Sequence, residues 1–126
     1  MRLLLDSHVL LWWLADDPNL PPRARATIAD SATSVLVSAA TVWELAIKRA
    51  AGRLETPDHL LEVLQANKFE SLPIASAHAL KAAALPHHHA DPFDRMLIAQ
   101  AQHEGLTLAS VDRRFGAYDI DLLPLT

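Results

Sequence analysis

The chain begins with a short apolar run, Arg2-Leu3-Leu4-Leu5-Asp6-Ser7-His8. Three consecutive leucines are too many for a half-exposed strand, so residues 2–5 are expected to form a strand that is buried on both faces, as in the middle of a parallel sheet. The run ends at Asp6, and a helical stretch over residues 9–15 follows. Because open α/β sheets bind ligands beyond the carboxyl ends of their strands, Asp6 lies where such a fold places its chemistry. Alternatively, Asp6 or Ser7 only caps the next helix.

Composition restricts the class of protein. A chain of 126 residues that is 51% hydrophobic is long enough for one domain with a real core, predicted to span residues 1–126. The absence of cysteine suits a reducing cytosol. No apolar run reaches the ~20 residues of a membrane span, and charged residues interrupt the start too early for a signal peptide. A cytoplasmic location without a membrane segment is therefore expected.

The formal net charge of −4 argues against a protein that coats nucleic acid by bulk electrostatics. It leaves open an enzyme that binds a phosphodiester locally through metal ions.

Strand and helix patterns alternate along the whole chain. Strands are predicted over residues 2–5, 34–38, 69–72, 106–109 and 120–123, and helices over 9–15, 21–30, 39–51, 58–67, 74–84 and 91–104, with a short helical turn over 112–115. Such an alternation within one small domain predicts a parallel sheet sandwiched between layers of helices.

Four acids fall at equivalent places in this pattern. Asp6 and Asp112 follow the first and fourth strands, while Glu44 and Asp94 lie early in helices that begin at the same edge of the sheet. A doubly wound sheet brings the ends of its first and fourth strands together, so the four carboxylates should converge. Carboxylates without a counter-charge repel one another, and a divalent cation removes that penalty. An all-oxygen site with open positions suits Mg²⁺ or Mn²⁺ rather than zinc.

Each acid also has a structural interpretation. Asp91 is an ordinary N-cap before Pro92, and Asp94 is a favoured acid for the first turn of that helix. Asp112 could cap its own turn, and Glu44 could pair with Lys48 one helical turn later.

Four motifs carry a resemblance to a known family. They are Leu5-Asp6-Ser7-His8, Trp43-Glu44-Leu45, Asp91-Pro92-Phe93-Asp94-Arg95-Met96-Leu97-Ile98-Ala99 and Ser110-Val111-Asp112. In this order and spacing they resemble PIN-domain proteins, in particular the VapC-type toxins of bacterial toxin–antitoxin pairs. The resemblance runs from Leu3 to about Leu123. It implies a three-layer α/β/α fold with a five-stranded parallel sheet in the order 3-2-1-4-5, and a Mg²⁺- or Mn²⁺-dependent endoribonuclease that a cognate antitoxin holds inactive.

The resemblance also implies roles for individual residues. The catalytic quartet is Asp6, Glu44, Asp94 and Asp112; of these, Asp6, Asp94 and Asp112 hold the metal, and Glu44 is a further ligand or positions water. Ser7, Ser110 and Asp91 support the site. Arg95, Arg113 and Arg114 lie beside the acids in sequence and are candidates for contacts with RNA phosphates, although each could equally be a solvated surface arginine.

Other functional readings are weaker. A haloacid-dehalogenase-like phosphatase also begins with a strand that ends in Asp, but it needs a second Asp two residues on, where this chain has His8. A catalytically silent PIN scaffold that only binds protein or RNA has no reason to keep four converging carboxylates. His87-His88-His89 could bind a transition metal, but adjacent loop residues rarely point at one ion, so an exposed loop near the substrate is expected.

The first helix is apolar on all sides, with Trp12 and Trp13 pointing in different directions. Such a helix must be buried all round or covered by another chain. The resemblance supplies two partners, a second copy in a homodimer or higher assembly and the antitoxin, and the antitoxin is the one expected on this helix. The alternative is that the neighbouring helix, 21–30, folds over it.

Overall fold

A computed structural model describes residues 1–125. The strands are β1 (Arg2–Leu5), β2 (Ser34–Ser38), β3 (Glu70–Leu72), β4 (Thr107–Ala109) and β5 (Asp121–Leu122). The helices are α1 (Ser7–Leu14), α2 (Pro22–Ala29), α3 (Ala39–Ala50), α4 (Leu60–Ala66), α5 (Ser76–Ala84) and α6 (Pro92–Glu104), and a 3₁₀ turn spans Arg113–Ala117. The predicted domain ended at Thr126, which lies outside the described residues.

The five strands form one parallel sheet in the order β3-β2-β1-β4-β5, which confirms the expected topology. β1 occupies the centre, where Leu4 pairs with Leu36 of β2 on one side and Leu108 of β4 on the other. The strand order reverses between β1 and β4, so the end of β1 lies at the point where α/β folds bind their ligands.

The leucine run of β1 is fully buried, as predicted. Leu3 and Leu5 face a core formed with α1, α2 and residues of α3 and α4. Leu4 points the other way, into a second core that includes Ile98 of α6 and Phe115 of the 3₁₀ turn. Because successive side chains of a strand alternate between faces, three consecutive leucines contribute to the hydrophobic cores on both sides of the sheet.

Most helix boundaries follow from local caps. Ser38 Oγ accepts the N–H of Ala40 and begins α3, and Asp91 accepts the N–H groups of Phe93 and Asp94 and begins α6. Gly105 ends α6 with a φ of 66°, a left-handed conformation that costs glycine little.

Two helices begin two residues later than predicted, and α1 begins two residues earlier. α4 starts at Leu60, after His59 at a φ of 56°, because Asp58 pairs with Arg49 of α3 instead of entering the helix. α5 starts at Ser76, where His78 Nδ1 accepts the N–H of Ala75. Within residues 1–125, no helix has the length and hydropathy needed to cross a membrane.

Candidate active site

Asp6 lies at the carboxyl end of the central strand. Its backbone N–H donates to the carbonyl of Ala109 at the end of β4 (3.1 Å), and its Oδ1 accepts the N–H of Val9 (2.9 Å) as the N-cap of α1. Burial raises the pKa of this carboxyl, against the opposing effects of hydrogen bonds from Ser110 and Val9, and the nearby Asp112 raises it further. Asp6 is thus both a cap and a buried acid.

Asp94, in the first turn of α6, lies close to the other carboxylates of the site. Its pKa is raised to about 6, first by burial and then by the charge of Asp91; Asp6 and Glu44 add to the rise, while His89 opposes it. The carboxylates that raise this pKa include Asp6 from the end of β1 and Glu44 from α3, and an oxygen of Asp94 lies within 4.8 Å of a carboxylate oxygen of Asp112. The four acids therefore come together as the positions of the strand ends predicted.

Glu44 reaches the same region from the second turn of α3. It is buried, and its Oε2 pairs with Nζ of Lys48 at 2.9 Å. The pairing proposed as a structural alternative is therefore present, but it does not carry Glu44 away from the site, since Glu44 still raises the pKa of Asp94. Lys48 instead brings one positive charge to the edge of the acidic cluster.

Asp112 follows β4 and caps the 3₁₀ turn through the N–H of Arg114 (2.9 Å). Its carboxylate also accepts the Arg114 guanidinium, with Nη2 at 2.8 Å. This hydrogen-bonded pair lowers the pKa of Asp112 to about 2. Ser110 Oγ accepts the backbone N–H of Asp112 at 3.0 Å, so one hydroxyl links Asp112 to Asp6. Ser7 is buried in the first turn of α1.

His89 joins the site, which the sequence pattern did not predict. The expectation of an exposed triple histidine is right for His87 and His88 and wrong for His89, whose side chain is 1% exposed. Its Nε2 lies 2.9 Å from Oδ2 of Asp94 and 3.2 Å from Oδ2 of Asp112. The one local signal was its position two residues before the N-cap Asp91, which places it at the same sheet edge as the acids.

The three candidate phosphate-binding arginines differ in burial and in hydrogen-bond partners. Arg95 is buried, and its guanidinium donates to the carbonyls of Ala82, Leu85, Pro86 and His89. Its assignment as an RNA contact is therefore corrected: bound by four carbonyls, it holds the loop between α5 and α6. Arg113 is exposed, and Arg114 is exposed but paired with Asp112.

The donor set fits a divalent cation. Asp94 and Asp112 each offer a carboxylate oxygen, and these oxygens lie within 4.8 Å of one another and of a ring nitrogen of His89. Carboxylate oxygens are the ligands preferred by Mg²⁺ and Mn²⁺. Burial, and after it the neighbouring carboxylates, raises the pKa of Asp94 to about 6, and a bound cation would offset both effects.

A second cluster contains His78, His103 and Glu104. His78 Nδ1 accepts the N–H of Ala75 and its Nε2 lies 2.9 Å from Oε1 of Glu104. This hydrogen bond lowers the pKa of Glu104. Because both nitrogens of His78 are already used, this cluster is a structural link between α5 and α6.

Comparison with known proteins identifies the family to which this geometry belongs. The PIN domain family matches residues 3–121, which is nearly the whole chain and includes all four acids.

The chain belongs to the PIN-domain family.

Among PIN-domain relatives, Ribonuclease VapC22 of Mycobacterium tuberculosis (strain ATCC 25618 / H37Rv) is 34% identical over 119 residues, which cover 92% of this chain and 91% of the relative. Two solved structures share the PIN fold. VapBC2 from Rickettsia felis, bound to a DNA fragment from its promoter, superimposes with a TM-score of 0.72 at 12% identity and covers 98% of both chains. A toxin–antitoxin complex from Klebsiella pneumoniae gives 0.69 at 16% identity, with coverage of 98% and 97%.

Proposed function

We propose that this PIN domain is a metal-dependent endoribonuclease and the toxin of a toxin–antitoxin pair. The observation that carries the proposal is the convergence of Asp6, Glu44 and Asp112 around Asp94 at the switch point of the sheet, where burial first and then neighbouring carboxylates raise the pKa of Asp94. The similarity to a ribonuclease along 92% of the chain supports RNA as the substrate class.

Asp6, Asp94 and Asp112 are the residues that would hold Mg²⁺ or Mn²⁺, and Glu44 would be a further ligand or would position the attacking water. When bound, the cation supplies an activated water and neutralises charge on the phosphate oxygens. The carboxylates are presented by the end of the central strand, the first two turns of α3, the first turn of α6 and the turn after β4. This placement lets the chain hold the oxygens in position without rearrangement of the fold.

The other side chains of the site have distinct tasks. Lys48 holds Glu44 through a 2.9 Å ion pair, which fixes the direction of that carboxylate. Ser110 links Asp6 to the backbone of Asp112. Arg113 is exposed beside the acids and is the arginine that remains free to contact a flanking RNA phosphate, which suits its forked guanidinium.

The proposed partners are RNA and a cognate antitoxin, in a homodimer or larger assembly in the cytoplasm. One face offers a groove of about 490 Å³ between α1 and the segment 54–57, lined by apolar side chains that include Leu11, Trp12 and Leu54. An amphipathic segment of an antitoxin would place its apolar side chains there. The similarity in fold to the toxin–antitoxin complex from Klebsiella pneumoniae supports this choice of partner.

The test is cleavage of RNA by the purified chain. A 5′-labelled RNA is incubated with protein in Mn²⁺, in Mg²⁺ and in excess EDTA, beside a DNA oligonucleotide of the same sequence. We expect internal cuts in the RNA with either cation, none in EDTA, and recovery when cation is returned. Cleavage that persists in EDTA would contradict the metal-dependent mechanism. Absence of cleavage with every cation would favour a silent scaffold that acts as a binding module.

A further inference from the structure

The environment of His89 determines which of its nitrogens carries a proton. Its Nδ1 accepts the backbone N–H of Asp91 at 3.2 Å. A nitrogen that accepts a hydrogen bond uses its lone pair, and in a neutral imidazole the proton then lies on the other nitrogen. Nε2 is therefore an N–H donor, and the atoms within its reach are Oδ2 of Asp94 at 2.9 Å and Oδ2 of Asp112 at 3.2 Å.

The same arrangement argues against His89 as a metal ligand. Histidine binds a metal through the lone pair of a neutral imidazole nitrogen. For Nε2 to coordinate a cation, the proton would have to move to Nδ1, where it would meet the N–H of Asp91. Two N–H groups pointing at each other repel, so the backbone of the α6 N-cap keeps the ring in the Nε2–H form.

The ring is also held firmly in place. The backbone N–H of His89 donates to Oη of Tyr118 (2.9 Å), and that hydroxyl donates to the carbonyl of Pro86 (2.7 Å). Nη1 of Arg95 donates to the carbonyl of His89 (3.3 Å). The edge of the imidazole meets Phe115, with centroids 5.7 Å apart and ring planes at 71°. A loop histidine with this many contacts has little freedom to turn away from the acids.

We propose that His89 is a positioning residue of the acidic site, which donates its Nε2–H to Oδ2 of Asp112, lies against Oδ2 of Asp94 and so orients both carboxylates for a divalent cation. This inference rests on the proposed function. Since His89 contacts Asp94 at Oδ2, it leaves Oδ1 of that residue for the cation. Arg95 acts one step further away, by holding the loop that carries His89.

The proton position is tested first, without metal or RNA. Two-dimensional ¹H–¹⁵N spectra that correlate ring protons with ring nitrogens distinguish the two neutral tautomers. We expect the signals of His89, assigned by their loss in His89→Gln, to show the Nε2–H form. A proton on Nδ1 would overturn the proposal, because Nε2 could not then donate to the acids.

Mn²⁺ alone is the second probe, with binding measured by titration calorimetry. Loss of a group that orients metal ligands typically weakens metal affinity 10- to 100-fold, and we expect a loss of this size in His89→Ala. Glutamine carries an N–H donor at a reach similar to that of imidazole Nε2, so His89→Gln should recover part of the affinity. The matched control is His87→Ala, an exposed neighbour, which should bind Mn²⁺ as the wild type does.

Three results would overturn the proposal. The first is unchanged Mn²⁺ affinity in a folded His89→Ala, which would make the residue purely structural. The second is a ¹⁴N imidazole coupling in the pulsed EPR spectrum of bound Mn²⁺ that disappears in His89→Gln, which would make it a ligand. The third is a wild-type chain that binds no Mn²⁺. Because none of these readouts uses RNA, a chain that binds Mn²⁺ as expected but does not cut RNA contradicts the proposed function alone.

Discussion

At the scale of single residues, the acids of the site combine two roles that the sequence presented as alternatives. Asp6, Asp91 and Asp112 all cap a helical turn, and Glu44 is salt-bridged within its own helix. Yet Asp6, Glu44 and Asp112 also meet at Asp94. Helix N-termini are favourable places for negative charge, so capping lowers the cost of gathering carboxylates and is compatible with a functional site.

Asp6→Asn should stabilise the metal-free protein at neutral pH. Asparagine keeps an oxygen that can accept the N–H of Val9, but it carries no buried charge. Because burial raises the folded-state pKa of Asp6 above its ordinary 3.8, the wild type loses stability as the pH rises above 3.8 towards the folded-state pKa. A tenfold difference in proton affinity corresponds to about 1.4 kcal/mol. The gain in Asp6→Asn should be full above the folded-state pKa and shrink as the pH falls towards 3.8.

Urea unfolding in EDTA between pH 4 and pH 8 measures this effect. Glu62→Gln removes one negative charge from an exposed position of α4 and should show no comparable pH dependence. If Asp6→Asn is less stable than the wild type at pH 7, Asp6 is a structural residue and its burial does not strain the fold.

At the scale of elements, the start of α6 carries two aspartates with different roles. One caps the helix, and the other belongs to the acidic site. Asp91 accepts two backbone N–H groups at 2.8 and 3.1 Å, and Asp94 lies among the other acids. The two residues carry the same side chain, so their substitutions form a matched pair.

Asp91→Ala should cost ~1 kcal/mol of stability, as expected for loss of an N-cap, with a modest loss of nuclease activity. Asp94→Ala should abolish activity and leave stability level or higher. Thermal unfolding and the RNA cleavage assay, run on both variants, check the pair. An inactive but fully stable Asp91→Ala would mean that the two roles are assigned the wrong way round.

The features that could be predicted from the sequence are those that depend on residues nearby along the chain. The buried central strand and the cap at Asp91 follow from neighbouring residues, and both were predicted. The place of His89 depends on Asp112, 23 residues away, and the burial of Arg95 depends on carbonyls up to 13 residues earlier. Side-chain periodicity carries no information about such contacts, so a buried histidine and a buried arginine were both read as exposed.

At the scale of the whole molecule, the two tryptophans of α1 face different neighbours. Nε1 of Trp13 donates to Oδ1 of Asn67 at 3.0 Å, and its ring packs against Phe69. Trp12 lines the groove beside the segment 54–57. Cover for α1 thus comes from the end of α4 and the start of β3 on the Trp13 side, which leaves Trp12 at the surface proposed for the antitoxin.

Trp12→Ser should therefore weaken antitoxin binding with little change in thermal stability, whereas Trp13→Ser should lower stability through lost packing and a lost hydrogen bond. Co-purification of the cognate antitoxin and thermal unfolding are measured on both variants. If both variants bind the antitoxin normally, α1 belongs to the core and the groove is not the docking surface.

The central claim is that the acids gathered at the end of β1 form a divalent-cation site, and direct titration of the purified chain with Mn²⁺ tests it most closely. Three proteins are compared by calorimetry: the wild type, Asp94→Asn, and Glu62→Gln as the control for loss of one exposed charge. Binding in the wild type and in Glu62→Gln, with loss of binding in a folded Asp94→Asn, is the result expected. Equal Mn²⁺ binding by Asp94→Asn and the wild type would contradict the claim.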